Sequence, residues 1–412
     1  MRTILYLLAL ALVPGWTPAR AQGVEKSLPE CIREAVENNL AMKSGRVAIE
    51  RARDLQGTAF NIGRTTLSLG QDPTSGGNPD NSLALGQGFD FPTVYTSRRA
   101  LLRAETDLER GNLEVTRNEL VREVSSLYYQ LLYERENIKV LQEQDSVYDQ
   151  FLFLATAKFK SGETGRLEQM NAERLYNENK LELQKAATAL EATRLALQRW
   201  MNTGERVEPA GSILPVAETP LPGGFEPGAT PAARVLDGRE RVSEKSLALA
   251  RQGFLPDFNV AVRRQYLIPG YNPYRVPRER FEKGNFTGFE VGVSLPLFFG
   301  EQRARTRAAR RDVEIARTRR EETLAALDND YRVAMNEHVK AKTVLDYYRE
   351  RGSEQAREIN RISRLSYEKG EIGYVEYIQN LETAVELRLQ HARAINDYNQ
   401  TVIMLNYLQG NQ

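Results

Sequence analysis

Positions 120, 124, 127, 131, 134, 138, 141, 145, 148, 152, 155 and 159 alternate steps of four and three, and carry Leu, Val, Leu, Leu, Glu, Ile, Leu, Asp, Tyr, Leu, Ala and Phe. Ten apolar residues in these twelve positions form a coiled-coil seam, because a repeat of about 3.5 residues keeps one helix face turned to a partner. The helix it predicts runs from about Thr93 to Lys160, about 100 Å at about 1.5 Å per residue. A helix of that length cannot fold back over one compact core and must lie along other helices. Positions 324, 327, 331, 334, 338, 341, 345 and 348 repeat the pattern with Leu, Leu, Tyr, Ala, His, Ala, Leu and Tyr.

The two seams belong to a chain written twice. Phe159-Lys160-Ser161-Gly162-Glu163-Thr164-Gly165 is echoed by Tyr367-Glu368-Lys369-Gly370-Glu371-Ile372-Gly373, and Gly88-Phe89-Asp90-Phe91-Pro92 by Gly292-Val293-Ser294-Leu295-Pro296. Residues 22–203 and 231–412 are therefore expected to be two structural repeats. The intervening segment 204–230, with its many Pro and Gly residues, reads as a linker. Within each repeat the predicted order is helix, β-hairpin, long helix, tight turn, helix. The hairpins fall at 64–91 and 257–297 and the turns at 159–165 and 367–373.

The strand signals are of period two. Phe289, Val291, Val293, Leu295 and Leu297 alternate with Glu290, Gly292, Ser294 and Pro296. Phe258, Val260 and Val262 do the same, as do Leu83, Leu85, Phe89 and Phe91, with Leu67 and Leu69 on a shorter stretch. These lengths suit tilted membrane strands. Their connections, 71–82 and 267–285, are rich in Gly, Pro and Asn, as exposed loops are. Four strands cannot close a barrel, and an open edge in lipid leaves backbone groups unpaired at several kcal/mol each. Several chains sharing one barrel resolve this. The other reading of the alternation is two soluble hairpins packed on helices.

Residues 1–21 read as a secretory signal peptide: Arg2, the apolar run Ile4 to Val13, the Pro14-Gly15 break and Ala19-Arg20-Ala21 before Gln22. Ten apolar residues are too few to cross about 30 Å of hydrocarbon as a helix. Cleavage takes away two of the 56 basic residues and none of the 55 acidic ones, leaving a nearly neutral chain. That balance argues against a nucleic-acid partner, which normally requires a clustered basic face. Cys31, the single cysteine, cannot form an internal disulfide. It lies too far past the apolar run to be a lipidated first residue and reads as a small apolar residue on a helix.

The signal peptide, the two helix–hairpin–long helix–turn–helix repeats and the aromatic-x-x-Gly turns together resemble the TolC family of outer-membrane efflux proteins. Within it they are closest to the CzcC-like or CusC-like channels of metal and drug efflux systems. The resemblance covers the whole mature chain. It implies a mainly α fold with a small β part, in which a long coiled-coil helical barrel continues a transmembrane β-barrel shared by a homotrimer, four strands from each protomer. It further implies residence in the outer membrane of a Gram-negative cell and passive passage of drugs or metal ions to the outside. A periplasmic adaptor and an inner-membrane efflux pump would be the partners, with outer-membrane lipid around the barrel. The family's periplasmic tips map onto the two turns, so Gly162, Gly165, Gly370 and Gly373 become adaptor-docking positions. Tyr367, Glu376 and Glu168 become residues of the entrance gate. Where the family's second tip carries a basic residue this chain has Ile372, and Gln379 stands in place of the second acid. A periplasmic coiled-coil scaffold or adaptor, also exported and helical, is the rival class.

No catalytic set supports an enzyme: there is no Gly-rich phosphate loop, no Gly-x-Ser-x-Gly elbow and no His-Glu-x-x-His. His338 and His391, the only histidines, lie on helices far apart in sequence and read as packing or surface residues. No metal or cofactor is expected. The paired glycines have a plain role as helix terminators, but termination needs one per turn and each turn has two. The acids have one as well, since a carboxylate in a first helical turn favours the helix dipole.

Overall fold

A computed structural model describes residues 23–73, 79–217, 224–267 and 285–411. The expected signal peptide 1–21 lies outside the described residues, as do parts of the two hairpin loops and of the linker. The first half contains β1 (Val24–Lys26), α1 (Leu28–Asn38), α2 (Leu40–Gln56), β2 (Thr66–Pro73), β3 (Pro79–Phe89), α3 (Pro92–Ser161) and α4 (Arg166–Met201). The second contains β4 (Val207–Pro209), α5 (Pro231–Gln252), β5 (Asp257–Leu267), β6 (Asn285–Ser294), α6 (Gly300–Tyr347), α7 (Ser353–Glu368) and α8 (Tyr374–Gln409). The fold is mainly helical with a small sheet part. Pro92 and Pro231 open their helices, where a missing N–H removes no hydrogen bond.

The chain divides into two compact units, each built from three segments. The first comprises Met1–Asn38, Glu123–Pro215 and Thr343–Gln400. Its core is lined by the α3 seam: Val124, Leu131, Leu141, Tyr148 and Ala155 are all buried. Both polar seam positions make hydrogen bonds, with Glu134 Oε2 left buried and without a partner among the described residues. The Glu134 carboxylate accepts from Gln130 Nε2 and Thr193 Oγ1, each at 2.9 Å. Asp145 accepts from Lys180 Nζ at 2.7 Å and Asn179 Nδ2 at 3.3 Å. These contacts fix α4 against α3 by hydrogen bonds that only one register can make.

Inside the segment expected as a linker, β4 pairs in parallel with β1, Val24 opposite Val207. The sequence gives no strand signal for three residues. Tertiary anchors hold them instead: Tyr128 Oη donates to the Ala210 carbonyl at 3.0 Å and Arg135 to the Pro209 carbonyl at 2.8 Å. Arg194, 2% exposed, pairs with Glu208 at 2.8 Å and also with Glu191. Cys31 is fully buried in α1, and burial pushes its thiol up to about 11, so at neutral pH it is an inert packing residue.

The second unit comprises Asn39–Arg122, Val216–Lys342 and Thr401–Gln412. Ala334, Leu405 and Leu408 form a small core with Tyr331, which stacks on Phe225 at 4.1 Å. The α6 seam positions from 324 to 341 are all buried or half-buried. The strands form one antiparallel sheet in the order β2-β3-β5-β6, so the β3–β5 pairing joins the two hairpins. β6 ends at Ser294, leaving Leu295 and Leu297 beyond the strand. Pro296 supplies no N–H to continue the ladder. Likewise β3 ends at Phe89, short of Phe91.

Register sorts the sheet residues onto two unlike faces. Leu67, Leu85, Val262 and Phe289 fall in one rung, and Leu69 and Leu83 in the next, which Arg264 and Thr287 complete toward the β6 edge. Leu69 is 83% and Phe289 84% exposed, so nothing among the described residues covers this apolar face. The opposite face carries Thr66, Ser68, Ser82, Ala84, Ala261 and glycines. Among the described residues, β2 and β6 are left as unpaired edges.

Candidate functional site

The two tip turns, both in the first unit, are built alike. Gly162 donates its N–H to the Phe159 carbonyl at 3.1 Å and Glu163 to the Lys158 carbonyl at 2.9 Å. In the second turn Gly370 donates to Tyr367 at 3.0 Å and Glu371 to Ser366 at 2.8 Å. This double bond set is the Schellman termination, which requires a left-handed residue at its centre. Gly162 and Gly370 supply it, with φ of +78° and +73°. The equivalent Glu163 and Glu371 each accept a serine hydroxyl, from Ser161 at 3.0 Å and from Ser366 at 2.9 Å, the two serines standing at different places in their turns.

The second glycine of each turn has no such constraint. Gly165 sits at φ −77°, ψ 158°, a conformation open to any residue, and Gly373 is not in the left-handed region either. A Cβ at any of the four glycines would meet nothing within 4 Å. Termination therefore accounts for Gly162 and Gly370. The chain's own packing gives no reason for Gly165 and Gly373.

Glu168 and Glu376 occupy equivalent places, the third residue of α4 and of α8. Glu376 is exposed and Glu168 half-buried. Tyr367 stacks on Tyr377 with centroids 4.8 Å apart and meets Tyr374 edge-on at 6.1 Å. Tyr374 in turn stacks on Phe151 of α3. Beside these rings lies a cavity of about 490 Å³ whose lining also includes Arg364 and Arg388. The Tyr374 hydroxyl is buried with no hydrogen-bond partner among the described residues. Burial drives its pKa well above the usual phenol value, with Tyr367, Tyr148 and Glu168 adding to the shift. At the second tip, then, an aromatic stack ties α7 and α8 to α3.

His391 Nδ1 meets Ser353 Oγ at 3.0 Å, and burial lowers its pKa. His338 Nδ1 lies 3.0 Å from Thr401 Oγ1. No grouping of His, Cys, Asp and Glu able to hold a metal occurs among the described residues. The sequence pattern did not reveal the π-helical turn Tyr348–Gly352 between α6 and α7. Its signal is Gly352, where a Cβ would come within 2.6 Å of the Tyr348 ring. Nor did it reveal the Phe151–Tyr374–Tyr367–Tyr377 stack, although Tyr374 and Tyr377 share a helix face three residues apart.

Residues 234–411 of the chain match the family described as outer membrane efflux protein. Its fold is similar to that of CusC, whose structures concern folding and transmembrane channel formation, with a TM-score of 0.77 at 15% identity over 98% of this chain and 96% of that one. It is equally similar to the CmeC outer membrane channel of Campylobacter jejuni, TM-score 0.77 at 15% identity over 94% and 86%. The open-state MtrE outer membrane channel of Neisseria gonorrhoeae gives 0.72 at 15% over 93% and 88%. Among curated proteins, none matches the chain.

Proposed function

We propose that the protein is the outer-membrane exit duct of a tripartite efflux system, a homotrimer that passes small substrates such as drugs or metal ions from the periplasm to the outside. The observation that carries this reading is the sheet: one face is apolar and bare, and two edge strands are open. In lipid those edges must be paired, and three copies joined edge to edge pair them all. The helices then continue the bore into the periplasm and end at the glycine tips. There a periplasmic adaptor, coupled to an inner-membrane pump, docks on Gly162, Gly165, Gly370 and Gly373. Membrane fractionation followed by mass analysis in detergent tests the reading. A trimer extracted only by detergent is the expected result, and a soluble monomer in the periplasmic fraction overturns it.

In the same trimer, Tyr367, Glu376 and Glu168 surround the periplasmic entrance. Three like carboxylates on one ring repel one another and concentrate cations. A carboxylate in a first helical turn also favours the dipole by roughly 0.3–1 kcal/mol, and Glu376→Gln separates the two roles. A ring gives weaker cation selectivity in planar bilayers with thermal stability nearly unchanged. Unaltered permeation with a small loss of stability leaves only the dipole role.

A further inference from the structure

The face of the sheet opposite the apolar one carries mostly small residues from its helix end to the Arg263 rung. Rung by rung from the helix end it carries Gly88, Asn259 and Gly292, then Thr66, Gly86, Ala261 and Glu290, then Ser68, Ala84, Arg263 and Gly288. Ser82 and Gln265 follow, with Gly70 opposite Ser82 and Phe286 opposite Gln265 in the register. Between the Asn259 and Gln265 rungs, Arg263 and Glu290 are its only charged residues, and both are exposed. Gly288 stands directly opposite Arg263 and Ala261 opposite Glu290, so neither charge has a cross-strand partner in its own rung. The rungs are adjacent, about 6.7 Å apart along the strand. Since apolar side chains must face lipid, this polar, small-residue face is the wall of the bore.

We infer that Arg263 and Glu290 form two adjacent rings of opposite charge around the exit bore, and that their mutual cancellation lets solutes of either sign leave. This rests on the trimeric duct reading above. Three copies of the four-stranded sheet, with strands about 4.8 Å apart and tilted roughly 40°, enclose a backbone radius of about 12 Å. The Debye length is about 10 Å in 0.1 M salt, so charges projecting from the wall act over much of that bore. The glycines and small residues around them leave the field unobstructed and the passage wide. Charge discrimination then belongs to the periplasmic entrance, and the β-barrel serves as a wide vent indifferent to charge sign.

The test is the reversal potential of single channels in a planar bilayer under a KCl gradient. Arg263→Gln unmasks the Glu290 ring and should raise the cation-to-anion permeability ratio about twofold or more in dilute salt, where screening is weak. Glu290→Gln should shift the ratio the opposite way, and the double variant should return to the parent value. To separate charge from folding, Arg263→Cys is assembled first and then modified with a cationic or an anionic water-soluble thiol reagent; buried Cys31 gives no background. Restoration of the parent ratio by the cationic reagent alone supports the rings. Conducting channels whose selectivity ignores both substitutions and both reagents overturn them while leaving the duct intact. Parent protein that forms no channels in lipid overturns the duct itself.

Discussion

Replacing Gly373 with leucine is expected to abolish efflux while leaving the protein folded and its oligomer assembled. The structure separates the glycines that the turns need from those they do not. At Gly370, with φ +73°, a side chain incurs the left-handed strain of roughly 1–2 kcal/mol. Gly370→Leu therefore confounds docking with stability. At Gly373 the backbone is outside the left-handed region and a Cβ meets nothing within 4 Å, so the isolated chain loses only the N-cap preference of glycine over leucine, about 0.5–1 kcal/mol. What leucine does change is how closely a partner helix can approach the tip. Substrate susceptibility of cells, thermal unfolding in detergent and crosslinking of an adaptor to Gly373→Cys give the three readouts. Gly165→Leu should behave in the same way at the first tip. Full efflux with leucine at both positions would sink the docking role and leave these glycines unexplained.

Much of this was legible in the sequence because periodicity reports burial directly. The α3 positions at steps of four and three point inward up to Ala155, while Phe159 at the tip is exposed, and even the two polar positions were informative, since Glu134 and Asp145 mark where α4 is pinned. The α6 series was weaker to read because His338 and two alanines dilute it, yet it falls on the buried face. The glycine turns were legible because only glycine enters the left-handed region cheaply. The same sequence could not separate the two glycines of a turn, since that depends on φ.

Other features escaped for physical reasons as well. A three-residue strand such as β4 has no period to detect, and it exists because Tyr128, Arg135 and Arg194 grip it from elements distant in sequence. The π turn at Tyr348–Gly352 is a local change of hydrogen-bond register that leaves composition untouched. The sheet showed the converse. Its apolar face could be read from alternation, but the juxtaposition of Arg263 and Glu290 depends on the β5–β6 register, which the long loop between those strands leaves unspecified.

The aromatic stack at the second tip supplies the last expected result. Phe151, 4% exposed, packs on Tyr374 from the facing helix. Phe151→Ala should cost about 3–5 kcal/mol locally, the range for emptying a buried aromatic site. With α8 no longer held to α3, the entrance should open more often in bilayer recordings. Tyr374→Phe keeps the ring contacts and removes a buried hydroxyl that has no partner among the described residues. It should raise stability by about 1 kcal/mol, because a buried unsatisfied donor carries its full desolvation cost, with gating unchanged. The two variants also differ in alkaline solution. Burial raises the Tyr374 pKa above the usual phenol value near 10, so above about pH 10 the unfolded chain releases a proton that the folded one retains. Stability from this group is complete below that pH and falls as pH rises. Tyr374→Phe should flatten that fall, while Phe151→Ala should lower stability at every pH. A Tyr374→Phe variant less stable than the parent at neutral pH would show that the hydroxyl is bonded in the assembled channel, and the entrance would then be held by a polar contact as well as by stacking.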